Sequence, residues 1–344
     1  MRQVLLAGAG HAHLVLLRSL AQAPLYGARL TLITPSPRQI YSGMLPGLVA
    51  GHYKLEQVTI DVAALADKGY VELVEGSVAA LDAERRKLRL EWGAELDYDV
   101  LSLNVGSTID TSLPGAKHHA LAVKPYENFV QKLRFANRVA IVGGGAAGAE
   151  LAMALRYRKA QVTLYSDRPT LSRRVERQLR RRKVDYRPGM GVSAIHNGPV
   201  VVSGGARQDF DLVILATGAA PLPWLQQAGL ETDEHGFVVV SDTLQSTSYP
   251  EVFAAGDCAT IRHRPRPRSG VYAVRHGEIL AVNLRRVFEG GPLERYEPQT
   301  RALSMISCGA RYAIAERGDW SWQGRLAWLW KDRIDRRWVR ELRV

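Results

Sequence analysis

The strongest constraint on the fold is a glycine-rich turn that follows an apolar run near the start of the chain. Residues 4–7 form the run, Gly8 and Gly10 stand in the turn, and the leucines within 14–20 predict a helix. The first glycine permits a tight turn, and the second lets a pyrophosphate approach the backbone. The helix N-terminus adds free N–H groups. His13 stands where the third glycine of such a turn belongs.

The same pattern recurs in the middle of the chain. Residues 138–142 predict a strand, 149–156 predict a helix, and a complete Gly-x-Gly-x-x-Gly turn lies between them. Two such units in one chain favour an α/β fold with two Rossmann-like, dinucleotide-binding domains. The glycines of the second turn are Gly143, Gly145 and Gly148.

Each unit continues in a similar way. Strand-like segments at 71–73, 78–81 and 87–92 suggest a small β-meander after the first unit, and 200–202 suggest another after the second. Each unit then closes on an apolar strand that ends in glycine, at Gly106 and at Thr217-Gly218. We therefore predict an internal structural repeat in which each parallel sheet carries a meander.

A third motif is the short apolar strand 252–255, which ends in Gly256-Asp257. Beside the first glycine turn, Asp257 could accept a hydrogen bond from a sugar or ribityl hydroxyl, and Gly256 would let the backbone approach phosphate. The alternative is an ordinary aspartate that caps a helix.

Composition limits the class of protein. A chain of 344 residues predicts two domains of about 150 residues each. The net charge of +12 indicates either an acidic partner (a membrane surface, a nucleic acid or a phosphorylated cofactor) or a basic surface without function. The two cysteines suggest a reducing compartment. The strand beginning at Val4 leaves no room for a signal peptide, and no apolar run approaches about 20 residues. We expect a cytoplasmic protein, or one attached peripherally to the cytoplasmic face of a membrane.

These three motifs, in this order, resemble the flavoproteins with two dinucleotide-binding domains. That superfamily includes the pyridine-nucleotide disulfide reductases and the type II NADH:quinone oxidoreductases. Residues 10–13, 41–47 and 123–125 further resemble the flavoprotein module fused to selenide, water dikinase (selenophosphate synthase).

The resemblance implies an FAD site in the first unit. FAD would lie across Gly8, Gly10 and His11, and the helix beginning at Gly270 would direct backbone N–H groups, including that of Val271, at the flavin. At the end of the second strand, Thr34 replaces the usual acidic ribose ligand, so its hydroxyl or Arg38 would substitute. The other implied FAD contacts are Ser42, Gly43, Met44, Gly106, Gly256 and Asp257.

NAD(P)H would occupy the second glycine turn. Ser166 and Arg168 could accommodate a 2′-phosphate, whereas Asp167 would repel it, so the choice between NADH and NADPH stays open with a lean toward NADPH. The implied contacts are Gly143, Gly145, Ala146, Gly148, Ser166, Arg168, Thr217 and Gly218.

Two catalytic residues follow from the same resemblance. Glu150 stands just after the second turn, at the family position of a glutamate that assists hydride transfer near the nicotinamide and is often paired with a lysine. Lys124 is the candidate partner. The alternatives are that Glu150 only complements a helix dipole and that Lys124 is linker surface.

The absence of a closely spaced cysteine pair in the sequence argues against reduction of disulfides. Reduction of disulfides needs two cysteines a few residues apart, and Cys258 and Cys308 are far apart in the sequence. We interpret Cys258 as a packed small residue and Cys308 as part of a buried strand. The histidines have no cysteine or carboxylate cluster beside them, so no metal site is expected. The remaining chemistry is hydride transfer from NAD(P)H to FAD and on to a diffusible acceptor such as a quinone.

The C-terminal segment 320–344 is predicted to form an amphipathic helix. Five of the seven tryptophans lie in it, and several arginines surround them. Tryptophan beside arginine is typical of an interfacial helix on anionic lipid. The alternatives are packing on its own domain or on a second subunit, as in a homodimer. The predicted apolar stripe is Trp322, Leu326, Trp330, Ile334 and Trp338.

We therefore predict an FAD-dependent NAD(P)H dehydrogenase with a quinone-like acceptor. The FAD domain comprises 1–123 and 241–344, and the NAD(P)H domain, 124–240, is inserted between them. The basic segment 173–183 is predicted to be a helix, and no motif supports nucleic-acid binding. The alternatives are a reductase of a small selenium or other oxidised compound and a non-enzymatic flavin-binding redox sensor.

Overall fold

A computed structural model describes residues 1–198 and 200–343. The strands are β1 Arg2–Ala7, β2 Ala28–Thr34, β3 Arg38–Ile40, β4 Thr59–Asp61, β5 Val71–Glu75, β6 Val78–Asp82, β7 Lys87–Leu90, β8 Glu95–Asp97, β9 Val100–Leu103, β10 Thr108–Ile109, β11 Leu121–Ala122, β12 Arg138–Val142, β13 Gln161–Ser166, β14 Asp185–Pro188, β15 Val192–His196, β16 Val200–Ser203, β17 Ala206–Asp209, β18 Leu212–Leu215, β19 Ala219–Ala220, β20 Val238–Val240, β21 Val252–Ala254, β22 Ala259–Ile261, β23 Ser304–Ser307, β24 Ala313–Arg317 and β25 Trp320–Gly324. The α-helices are α1 His11–Gln22, α2 Leu45–Val49, α3 Leu55–Val58, α4 Val62–Lys68, α5 Ala116–His119, α6 Tyr126–Lys132, α7 Ala146–Tyr157, α8 Arg173–Arg181, α9 Gly270–Glu289 and α10 Arg325–Glu341. Short 3-10 helices span Ser42–Met44, Pro223–Gln227 and Gly256–Cys258.

Two five-stranded parallel sheets form the centres of the molecule. The first has the order β21-β9-β1-β2-β5 and the second the order β11-β18-β12-β13-β14. Their central strands are apolar runs because helices cover both faces of a parallel sheet. The second sheet is built from a segment that lies between β9 and β21 in the chain. The predicted α/β fold, with one Rossmann-like unit inserted into the other, is confirmed.

The two meanders are present as antiparallel three-stranded sheets, β6-β7-β8 and β15-β16-β17. One detail differs from the sequence analysis, which grouped residues 71–73 with the first meander. They belong to β5, which pairs parallel with β2 at the edge of the first sheet. A short apolar strand has the same sequence pattern in either position, so its partner could not be identified locally.

The boundary near residue 123 also differs in detail. β11 lies just before it, and this strand pairs parallel with β18 in the second sheet. The chain therefore reaches the second sheet by Leu121 rather than at residue 124.

The C-terminal segment begins as a strand, which corrects the prediction of one helix from residue 320. Residues 320–324 form β25, which pairs antiparallel with β24, and α10 begins only at Arg325. Gly324, the last residue of β25, has a φ of 140°, a conformation that side-chain-bearing residues rarely adopt. The four-residue spacing of the apolar residues therefore runs across a strand and a helix.

The helices α1 and α9 pack closely together on the first sheet. Gly277 makes this approach possible, since a Cβ atom there would stand 2.6 Å from Cβ of Val15 and 2.7 Å from the carbonyl oxygen of Ala12. Both neighbours belong to the helix that follows the first glycine turn. The contact therefore fixes the position of the α9 N-terminus relative to that turn.

We expect Gly277→Ala to lower the free energy of unfolding by about 1–3 kcal/mol, because the added methyl forces two packed helices apart. Urea titration followed by circular dichroism measures the change. Glu278→Ala, at the neighbouring half-exposed position, is the control and should change stability by less than about 0.5 kcal/mol. Equal stability of Gly277→Ala and the wild-type protein would contradict the packing argument.

Candidate active-site cleft

An open cleft lies where the carboxyl end of the first sheet meets the start of α7. Its volume is about 460 Å³, within the roughly 300–1000 Å³ of ordinary small-molecule pockets. Both glycine-turn units contribute to its walls. The predicted site residues that line it are Gly8, Gly10, His11, Thr34, Ser42, Gly106, Lys124, Glu150, Thr217, Gly256 and Asp257.

The other predicted site residues do not line this cleft, for identifiable reasons. Met44 is 1% exposed and packs into the core, and Arg38 is exposed on β3. Gly43 uses its carbonyl oxygen to accept a hydrogen bond from Lys331, and Val271 lies half-exposed in the first turn of α9. The residues of the second nucleotide unit lie around its own turn: Gly143, Gly145, Ala146, Gly148, Ser166, Arg168 and Gly218.

The first glycine turn is braced by His13, the residue in place of the third glycine. The His13 side chain is buried, its Nδ1 bonds to the carbonyl oxygen of Gly8, and its Nε2 lies 2.8 Å from Oγ of Ser102. Burial lowers the His13 pKa to about 4, so the ring is neutral at physiological pH and can donate at one nitrogen while accepting at the other. The histidine thus joins the turn to β9.

Asn104 is a site residue that the sequence analysis missed. Its side-chain oxygen accepts from the backbone N–H of His13 at 3.0 Å, and its side-chain nitrogen donates to the carbonyl oxygen of Ala255 at 2.6 Å. A Cβ on Gly8 or on Gly10 would stand 2.5 Å from an Asn104 oxygen. The glycine turn, β9 and the Gly256-Asp257 motif are therefore held together through one buried amide.

Lys124 and Asp257 form an ion pair in the cleft. Nζ of Lys124 lies 2.8 Å from Oδ2 of Asp257 and 2.9 Å from Oγ of Ser107. Burial acts to lower the Lys124 pKa, but Tyr126 and Asp257 outweigh it, so this pKa is raised. Burial acts to raise the Asp257 pKa, but the lysine lowers it below its usual range. Both groups are therefore charged at neutral pH.

This pairing corrects the sequence analysis, in which Lys124 was the candidate partner of Glu150. Lys124 follows β11, and Asp257 follows β21, at the carboxyl ends of the two parallel sheets. The carboxyl ends bring these two residues together although 133 positions separate them in the chain. A glycine motif alone gives no indication of such a distant contact.

Glu150 lies in α7, and the pKa of its carboxyl group is raised well above its usual value. Oε1 accepts the backbone N–H of Ser307 at 2.7 Å. Burial raises the Glu150 pKa to about 7, against the opposing influence of Lys331 and of the Ser307 hydrogen bond. A carboxyl with this pKa exchanges its proton near neutral pH, which suits general acid–base chemistry.

A buried cluster on α10 supports the loop of Gly43. Nζ of Lys331 lies 2.6 Å from Oδ2 of Asp335 and donates to the carbonyl oxygen of Gly43 at 2.7 Å. The Tyr41 hydroxyl donates to Oδ1 of Asp335 at 3.2 Å. The sequence analysis missed Lys331 and Asp335, since on a basic, tryptophan-rich helix they resemble an ordinary exposed i,i+4 pair.

Three long helices begin at the two nucleotide units without a side-chain cap. Gly10 precedes α1, Gly145 precedes α7, and Ser269 precedes α9, and none of the three supplies a side-chain hydrogen bond to its helix. The N–H groups of these first turns are therefore available to anions and to flavin oxygens. This donor set fits FAD at the first turn and a pyridine nucleotide at the second.

A reactive thiol needs an accessible cysteine, and a metal site needs clustered ligands. Cys258 and Cys308 are both buried and free, and burial raises their pKa values to about 11 and about 12. Within residues 1–198 and 200–343, no group of three or more His, Cys, Asp or Glu side chains is placed to hold a metal ion. No helix in the same part of the chain is long and apolar enough to span a bilayer.

We expect Asn104→Ala to weaken FAD binding at least about tenfold, because a buried turn would lose two hydrogen bonds worth roughly 0.5–1.5 kcal/mol each. The flavin-to-protein absorbance ratio after dialysis measures retention. Asn137→Ala, at an exposed position before β12, is the matched control and should retain flavin fully. Full flavin retention by Asn104→Ala would rule out its bracing role.

The chain is similar in sequence to curated proteins of two kinds. It is 28% identical over 260 residues to ferroptosis suppressor protein 1 of Xenopus tropicalis, covering 68% of each chain. It is 24% identical over 383 aligned positions to a type II NADH:quinone oxidoreductase of Staphylococcus aureus, covering 98% of this chain and 94% of that one.

Solved structures show the same fold at low sequence identity. The sulfide:quinone oxidoreductase of Aquifex aeolicus superimposes with a TM-score of 0.82 at 18% identity, covering 100% of this chain and 92% of that one. NDH2 of Plasmodium falciparum, solved in complex with NADH, gives a TM-score of 0.82 at 14% identity, covering 98% and 97%.

A family model, the pyridine nucleotide-disulphide oxidoreductases, matches residues 2–277, which is well over half of the chain. The matched range includes both glycine turns, the Gly256-Asp257 motif and the start of α9. The predicted enzyme class, an FAD-dependent NAD(P)H oxidoreductase, and the predicted cofactors FAD and NAD(P)H are thereby confirmed. The chain therefore belongs to the pyridine nucleotide-disulphide oxidoreductase family.

Proposed function

We propose that this protein is an NAD(P)H dehydrogenase that passes electrons from its flavin to a quinone-like acceptor. The observation that carries the proposal is the composition of the cleft. Glu150, with a pKa of about 7, and the charged Lys124–Asp257 pair line it together with residues of both nucleotide units. Cys258 and Cys308 are buried and free, so neither belongs to a disulfide in the described residues. The similarity to enzymes named NADH:quinone oxidoreductases supports a quinone as acceptor.

In the domain division that we propose, residues 1–123 and 241–344 bind FAD and residues 124–240 bind NAD(P)H. FAD, when bound, supplies a two-electron carrier between the nicotinamide and the acceptor. Asp257 would accept from a ribityl hydroxyl, Lys124 would keep that carboxylate charged, and the α9 N-terminus would face the flavin's pyrimidine edge. We assign Met44 a packing role rather than a flavin contact.

Glu150 is the proposed proton-carrying residue. Reduction of a quinone by NAD(P)H consumes one proton besides the hydride, so that NAD(P)H, quinone and H⁺ give NAD(P)⁺ and quinol. A buried carboxyl whose pKa is about 7 is protonated over the acid half of the physiological range and can hold that proton in the cleft. Above this pKa the fraction that holds a proton falls tenfold per pH unit.

We expect wild-type turnover with NAD(P)H and a ubiquinone or menaquinone analogue to decline above pH 7. Glu150→Gln should keep its fold, because a glutamine oxygen can still accept from Ser307, and should lower turnover by about 10²–10⁴-fold without the pH dependence near 7. Stopped-flow bleaching of the flavin by NAD(P)H separates the first half-reaction from the second.

The matched control is Glu127→Gln, a second carboxyl of the same cleft whose oxygen accepts the N–H of Ile40. It should keep the wild-type pH profile. If Glu150→Gln reduces its flavin and the quinone as fast as wild type, Glu150 has no catalytic role. If wild type oxidises NAD(P)H but reduces no quinone analogue, the acceptor is of another class.

We further propose that the outer face of the C-terminal region docks peripherally on an anionic membrane. We define the tryptophan patch as the exposed apolar residues of β25 and α10, which are between 37% and 65% exposed. Its members are Trp320, Trp322, Leu326, Leu329, Trp330 and Ile334. Exposed arginines flank the patch, at positions 325, 333, 336, 337 and 340.

The tryptophan patch faces away from the core, while the opposite face of α10 is occupied. Trp328 and Val339 are buried, and Trp338 turns inward to stack on His11 at a centroid distance of 6.3 Å. Four of the five residues of the predicted stripe are therefore available to a partner. Tryptophan next to arginine suits the headgroup region, where the rings sit in the interface and the guanidinium groups meet anionic lipid. A protein bound to the membrane in this way would have access to an acceptor dissolved in the lipid.

We expect the double substitution Trp322→Ser, Trp330→Ser to reduce co-sedimentation with phosphatidylglycerol-containing vesicles by at least about tenfold, since each ring contributes roughly 1.5–3 kcal/mol when buried. Trp92→Ser, at an exposed tryptophan of the first meander, is the matched control and should bind as wild type does. Unchanged binding of the double variant would exclude the patch as a membrane contact. A dimer of the wild-type protein that this variant loses would assign the patch to a second copy.

The resemblance of residues 10–13, 41–47 and 123–125 to the selenophosphate synthase-fused module leaves a selenium compound as the alternative acceptor. NAD(P)H oxidation with selenite in place of quinone tests it in the same assay. Flavin binding without NAD(P)H oxidation would instead favour a redox sensor.

A further inference from the structure

The loop that follows β13 determines what the second nucleotide unit can accept at the adenosine ribose. In a Rossmann unit this loop lies at the carboxyl end of the second strand, where an acidic residue hydrogen-bonds the 2′-hydroxyl of NADH. The choice between NADH and NADPH at this loop rests on the proposed use of a pyridine nucleotide at the second glycine turn.

Ser166 occupies the position of the acidic residue. It is the last residue of β13, it is 2% exposed, and its hydroxyl donates to the carbonyl oxygen of Arg168. A Cβ on Gly144 would stand 2.1 Å from Oγ of Ser166, so the serine packs directly against the glycine turn. The pocket thus lacks the carboxylate that would repel a phosphate at this position.

Thr170 fastens the same loop onto the turn. Its hydroxyl donates to the carbonyl oxygen of Gly144 at 3.0 Å. The loop is therefore held at both ends against Gly144, by Ser166 and by Thr170. Arg168 lies between these two anchors, so its Cα position is fixed relative to the turn.

The charge of this region is positive. The Arg168 side chain is 83% exposed, and its Nε lies 3.8 Å from Oδ2 of the exposed Asp167. An exposed pair at this distance contributes about 0–1 kcal/mol and leaves the guanidinium available to a stronger partner. Arg173 and Arg174 follow at the start of α8 and are exposed. Three arginines and one aspartate give residues 166–174 a net charge of +2, and one of these arginines, Arg174, faces Glu316 of β24 at 3.8 Å.

We propose that the second nucleotide unit selects NADPH over NADH, with the 2′-phosphate held by the guanidinium groups of Arg168 and Arg173 above the Ser166 hydroxyl. Arginine binds phosphate bidentately, and a charge-assisted contact of this kind is stronger than a neutral hydrogen bond. Asp167 reduces the preference because its carboxylate competes for Arg168.

Isothermal titration of the purified, flavin-loaded protein with two redox-inactive probes tests the inference apart from activity. We expect 2′-phospho-ADP-ribose to bind at least about tenfold more tightly than ADP-ribose. Arg168→Ala should reduce this ratio about five- to twentyfold, and Asp167→Ala should raise it. Arg207→Ala, at an exposed arginine on β17 of the same unit, is the matched control and should leave the ratio unchanged.

The outcomes separate this inference from the proposed function. Equal affinity for the two probes, or tighter binding of ADP-ribose, would overturn the NADPH preference and leave the dehydrogenase proposal standing. A phosphate preference that Arg168→Ala and Arg173→Ala both leave intact would overturn the assignment of the binding residues. Failure of both probes to bind would overturn the use of a pyridine nucleotide here and this inference with it.

Discussion

The buried side chain of Asn104 is the contact on which the organisation of the cleft depends. It joins the turn after β1, the end of β9 and the end of β21, which come from three distant parts of the chain. Each of these backbone ends carries polar groups that cannot be left unpaired in an apolar interior. One amide satisfies two of them, so the first glycine turn and the Gly256-Asp257 motif keep a fixed separation. Larger or apolar side chains cannot reproduce this arrangement.

Glycine and apolar patterns made the fold predictable from the sequence, because they report local requirements of the backbone. A parallel strand buried on both faces, a turn at which phosphate meets backbone, and a helix that begins there leave the same pattern twice in this chain. The meanders and the inserted position of the second sheet followed from the order of these patterns. The edge strand β5 and the short strand β11 did not, since a strand's partner is a property of the assembled sheet.

The site could be predicted residue by residue only where a motif marks it. Gly8, Gly10, Gly256 and Asp257 were identified in this way, and all four line the cleft. The hydrogen-bond partners of Lys124 and Glu150 could not be predicted, because they lie far away in the chain. Asp257 is 133 positions from Lys124, and Ser307 is 157 positions from Glu150. Lys331 and Asp335 carry no motif, and their burial is a consequence of how α10 packs.

The two sides of helix α10 have different contacts. Its outer side carries the tryptophan patch, and its inner side holds the carbonyl group of Gly43 through Lys331. Both features belong to one continuous helix of 17 residues. A change in the position of this helix would therefore move the main chain at Gly43, next to the cleft residue Ser42, together with the tryptophans.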